Sequence, residues 1–152
     1  MSNFAKITPI DLGNKPNKAT VLTLASGVYT TVATNGAGSA TYGVHFKMKE
    51  RQDKYLIVLK NNTSGGGAAT VVATIKGGNS GKWGAGDLAV SIESGKIAII
   101  QIESGCFKNE TPNAAMKALA GYDDSSTEDM KGDVVITAPS AGIDVAVIKG
   151  VF

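Results

Sequence analysis

Cysteine, histidine, arginine and aromatic residues are all scarce in this chain of 152 residues, and each scarcity removes a class of function. A single cysteine, Cys106, forbids an internal disulfide and gives no sign of an oxidising compartment. Within Ser104-Gly105-Cys106-Phe107 it reads as a small buried thiol. A Ser–His–Asp or Cys–His site has one possible base, His45, and the pattern around it places it on the polar, exposed face of a strand. A zinc site needs about four Cys or His ligands and has too few to draw on. The acidic stretch 123–129 lacks the alternate spacing and central glycine of a calcium loop. Lys76-Gly77-Gly78-Asn79-Ser80-Gly81-Lys82-Trp83 resembles a phosphate loop, but Lys76 stands where the first glycine belongs and Trp83 where Ser or Thr belongs. No catalytic residue, metal or cofactor is therefore expected.

Charge is sparse as well, at 18% of residues with a net +2. Arg51 is the only arginine among fifteen basic residues, and the lysines are interleaved with thirteen acids. Nucleic-acid binders favour arginine and gather charge on one face, so this distribution argues against such a partner. No apolar run approaches the length of a membrane span. Met1-Ser2-Asn3-Phe4-Ala5-Lys6 lacks the apolar core of a secretory signal, so the chain is expected to be made and used without crossing a membrane by that route.

What the chain does have is glycine, 19 of them, with 43% hydrophobic residues and a period of two. Tyr42, Val44, Phe46 and Met48 alternate with Gly43, His45, Lys47 and Lys49, the mark of a strand with one buried face. Tyr55-Leu56-Ile57-Val58-Leu59 is apolar on both faces, as in a central strand. Val71, Ala73 and Ile75 continue the alternation after a polar stretch, Asn61 to Gly67, that reads as a flexible connection. Leu88, Val90 and Ile92 lead into Ser94-Gly95, a tight-hairpin signal, and the chain returns through Lys96 to Ile102. Val134, Ile136 and Ala138, then Ile143, Val145 and Val147, read as a last hairpin. Roughly seven or more short strands of this kind predict an all-β, two-layer antiparallel β-sandwich, of jelly-roll or Ig-like type.

Two segments depart from the strand rhythm. Residues 1–27, broken by Pro9 and Pro16, read as an extended N-terminal arm ahead of a sandwich domain at 28–152. The arm's Phe4, Ile7, Ile10 and Leu12 are of little use to a solvated tail and are candidate partner-binding residues. Residues 109–131 read as an insertion with one short helix, capped by Thr111, started by Pro112 and stopped by Gly121. Trp83, among Gly81, Gly84 and Gly86, is a core lid, an interface anchor or a sugar platform.

One order of residues carries a resemblance. Tyr55 to Asn61 leads to Thr70–Ile75 and Lys76-Gly77-Gly78. Trp83-Gly84-Ala85-Gly86-Asp87-Leu88, Ser94-Gly95-Lys96 and Ile102-Glu103-Ser104-Gly105-Cys106-Phe107-Lys108 follow, and the run closes over Gly132 to Ile148. Over residues 54–148 this resembles the decoration (cement, auxiliary head) proteins of tailed bacteriophages, which usually have a short loop where residues 109–131 stand here. The resemblance implies a structural virion protein that binds the outer face of the major capsid protein lattice and stabilises the head, often as a homotrimer. No catalytic residue or cofactor comes with it. The competing expectations are a carbohydrate-binding sandwich module and another phage component, a tail tube or fibre.

Overall fold

The computed structural model describes residues 5–11, 30–33, 40–48, 54–63, 69–78, 86–109, 132–139 and 142–149. They form ten strands: β1 (Ala5–Lys6), β2 (Ile10–Asp11), β3 (Thr30–Ala33), β4 (Ala40–Lys47), β5 (Lys54–Asn61), β6 (Val71–Ile75), β7 (Leu88–Ile92), β8 (Ile97–Glu103), β9 (Asp133–Ala138) and β10 (Ile143–Lys149). One helical turn, α1 (Ser104–Phe107), follows β8. The short helix expected within 109–131 lies outside the described residues.

The strands make two sheets. The first runs β1-β4-β9-β6-β7, with β3 also on β4, and the second runs β2-β10-β5-β8. The main strands pair antiparallel, whereas the dipeptides β1 and β2 pair parallel to β4 and β10. Inward side chains of the two sheets meet in one core, built from Val44, Phe46, Ile75 and Ile136 on one side and Tyr55, Ile57, Leu59 and Val145 on the other. Phe46 and Tyr55 bridge the layers with ring centroids 5.8 Å apart. The double-apolar β5 sits between β10 and β8, with both of its hydrogen-bonding edges paired.

The pairing is nested. β6 pairs β7, β5 pairs β8, β4 pairs β9 and β2 pairs β10, and successive pairs fall alternately in the first and second sheet. Two expected hairpins are therefore corrected. Ser94-Gly95 does turn tightly, with Gly95 at φ 75°, but β7 and β8 that flank it lie in different sheets. β9 and β10 likewise belong to different sheets. A turn signal fixes local backbone geometry and says nothing about which strand will be the partner.

The N-terminal segment also finds a different role. Ala5–Lys6 extends the first sheet and Ile10–Asp11 the second, so the chain crosses from one layer to the other along one flank. Ile7, between them, is buried in the core, and its N–H donates to the His45 carbonyl at 2.8 Å. Residues 5–11 thus pack as part of the sandwich.

Candidate protein interface at the sandwich edge

The flank opposite the N-terminal segment is formed by β7, the last strand of the first sheet, and β8, the last of the second. Among the described residues no strand pairs with the outer edge of either. All the exposed large hydrophobic side chains of the described residues lie on β6, β7 and β8: Val72 at 43% exposure, Leu88 at 37%, Ile97 at 55% and Ile99 at 67%. Soluble chains blunt open edges with lysine, proline or bulges. Leu88–Ile92 and Ile97–Ile102 contain no charge and no proline.

The register of β8 on β5 determines what that edge presents. Asn61 N–H donates to the Lys96 carbonyl at 3.0 Å, which makes Asn61 and Lys96 a hydrogen-bonded pair. In an antiparallel ladder such pairs alternate with non-bonded ones. Ala98, Ile100 and Ile102 therefore bond β5, while Ile97, Ile99 and Gln101 turn their N–H and C=O groups to the open edge. The same three residues point their side chains away from the core. Across the outward face of the second sheet one row runs Ile10, Ile148, Leu56, Gln101 and the next runs Ala146, Val58, Ile99. Ala146 and Val58 are buried and Ile99 is not, so the apolar face is covered at its centre and bare at the β8 rim.

Asn61 pins this edge in place. Its side-chain amide donates to the Ile92 carbonyl at 2.8 Å and the Ala69 carbonyl at 3.0 Å, and its Oδ1 accepts from Thr63 N–H at 2.9 Å. Its main chain bonds both Lys96 and Gly95, and Ser94 Oγ donates to the Thr63 carbonyl at 2.7 Å. The end of β5, the start of β6 and the β7–β8 crossing are thus tied to one buried asparagine. The stretch read as a flexible connection begins with this fixed point. The available signal was a polar residue closing an apolar strand.

A second cluster closes the base of the glycine-rich segment. Asp87 accepts from Gly77 N–H at 2.8 Å and pairs with Lys76. Burial pushes its carboxyl up, but the Lys76 and Gly77 hydrogen bonds and the Lys76 charge outweigh that and hold it below its ordinary value. Gly77 and Gly78 are glycine for packing reasons. A Cβ on Gly77 would sit 2.7 Å from the Gly86 carbonyl carbon, and one on Gly78 only 2.4 Å from the Lys108 carbonyl oxygen. The phosphate-loop likeness therefore reflects close backbone packing. Cys106, half-buried against the core, supplies the carbonyl that Gly78 N–H bonds at 2.9 Å.

His45 requires a correction. It was expected on an exposed polar face, and it is 6% exposed with Nδ1 2.9 Å from Asp133 Oδ2. Lys47 Nζ approaches the other oxygen of Asp133 at 3.3 Å. Alternation did place His45 opposite Val44 and Phe46, but the outward face there is covered: Val135, beside it in register, is fully buried. Of the candidate partner-binding residues, Ile7 is in the core and Ile10 is half-buried in the outward row. Phe4, Leu12 and Trp83 lie outside the described residues. Neither Ile7 nor Ile10 lies on the β7–β8 flank.

Among the described residues no group of three or more His, Cys, Asp or Glu is placed to hold a metal ion. No protein-family model, curated protein or solved structure matches this chain.

Proposed function

We propose that this chain is a non-enzymatic structural protein of a tailed-phage head, binding the outer face of the major capsid protein lattice as a homo-oligomer and stabilising it. The observation that carries the reading is the gathering of exposed large apolar side chains, among the described residues, on β6, β7 and β8, with the most exposed, Ile97 and Ile99, on an edge strand whose stretch Ile97–Ile102 is uncharged. Such a surface is suited to other protein surfaces. The order of strands and turns over residues 54–148 resembles decoration proteins, and the capsid lattice is the partner that resemblance implies. A protein that binds an assembled lattice better than its free subunits stabilises the assembly by mass action, and repeated copies multiply modest contacts.

Within the sandwich class we propose jelly-roll rather than Ig-like wiring. Nested pairs that alternate between sheets are what results when one long hairpin is rolled into two layers. The outermost pair, β2 with β10, departs from this by being parallel.

The test adds the chain to undecorated phage heads and counts copies sedimenting with them. The reading expects saturable binding at a fixed ratio to capsid protein and heads that survive heating better. Absence of binding to any head, with retention on a polysaccharide column, would transfer the protein to the carbohydrate-binding class.

A further inference from the structure

We infer that β8 is a self-association edge: two copies join β8 to β8, antiparallel about a two-fold axis at Ile99, into one continuous sheet. This goes beyond the capsid reading and concerns the isolated chain. It replaces the three-fold association implied by the resemblance with an isologous pair, in which the same patch serves both partners.

The edge defines the shape of its occupant. Ile97, Ile99 and Gln101 offer N–H and C=O groups that only an extended strand of matching spacing satisfies together. Charge selects the direction. Lys96 precedes the strand and Glu103, which also faces Lys54 Nζ at 3.9 Å, ends it, so an antiparallel mate lays basic end against acidic end, whereas a parallel mate sets like charges together.

Side chains select the register. Centring on Ile99 pairs Ile97 with the second copy's Gln101 and stacks Ile99 on its counterpart. Each Ile97 then lies diagonal to the opposite Ile99. The two most exposed large apolar side chains among the described residues are covered by one step. The outward row Ala146, Val58, Ile99 continues unbroken into its mirror row. The contact of one strand edge is small, in the size class of weak and transient interfaces (under about 1,200 Å²), so a reversible dimer is expected.

The test uses the full chain in sedimentation equilibrium across micromolar concentrations, where a reversible dimer is expected. Ile99→Lys sets two ammonium groups across the axis and should weaken dimerisation at least about tenfold. Val72→Lys, also at an exposed apolar position but on the first sheet, should leave it unchanged. An independent arm places Ile99→Cys in a Cys106→Ser background. Hydrogen-bonded partners in an antiparallel ladder are about 5.5 Å apart at Cα, within disulfide reach. Mild oxidation should give a reducible dimer, and Val72→Cys in the same background should not. A monomer at every concentration, an oligomer of another order, a dimer indifferent to Ile99→Lys, or crosslinking at Ile99→Cys no faster than at Val72→Cys would each overturn the inference. None of these results depends on a phage head, so failure here is distinct from failure of the capsid reading.

Discussion

At one flank of the sandwich the N-terminal segment pairs with part of each sheet's edge strand, and at the other no described residue pairs with the outer edge of β7 or β8, although both flanks are built from short apolar segments. Ala5–Asp11 lays a dipeptide on each sheet and drops Ile7 into the core between them. β7 and β8 receive no such cover among the described residues, and Ile97 and Ile99 stand in solvent. The contrast separates two uses of apolar residues near a sheet edge: closing a fold and offering a surface.

The largest effect should come from breaking the closed flank. Deleting residues 1–11 removes both edge dipeptides and a buried isoleucine, whose loss alone typically costs about 2–5 kcal/mol. Urea unfolding should show a free energy of unfolding reduced by at least that much, with a correspondingly lower midpoint. An unchanged midpoint would mean that the N-terminal segment is an independent arm. Next comes the pin of the open flank. Asn61→Ala leaves the Ile92 and Ala69 carbonyls without their donor and should cost about 1–3 kcal/mol, read by the same titration.

Gly95→Val ranks third. The Cβ meets nothing within 4 Å, so the penalty is that of positive φ alone, about 1–2 kcal/mol. A melting temperature equal to that of the natural chain would contradict the turn at the sheet crossing. Smallest is Asp87. Its carboxyl is held below the ordinary value of 3.8, so its stabilising contribution is present above that pH and lost as pH falls through the lower, folded-state value. Asp87→Asn should therefore be slightly less stable at neutral pH, with the difference closing in acid. A difference that persists in acid would point to lost packing at Gly77 in place of lost charge.

These residues also show how far the sequence reached. The double-apolar run at Tyr55–Leu59 announced a central strand because covering both faces is a local requirement written in local composition. The alternation at Val44, Phe46 and Met48 gave the inward face correctly for the same reason. It failed at His45 because a period of two assigns a side without saying whether that side meets water. Ser94-Gly95 signalled a turn, but the choice between hairpin and sheet crossing lies in the distant partners β5 and β6. β1 and β2 are too short to carry any period. The candidate interface was least legible: Ile97 and Ile99 look like any core pair until the strand order makes β8 the last in its sheet.

Residue-resolved amide hydrogen exchange along β8 at low and high protein concentration tests the contrast between flanks most directly. In the dilute chain, Ala98, Ile100 and Ile102 should be protected by β5, while Ile97, Ile99 and Gln101 exchange freely. At high concentration those three should become protected as the edge is covered. Protection of all six in the dilute chain would contradict the account, because the β8 edge would then already be closed by the molecule itself.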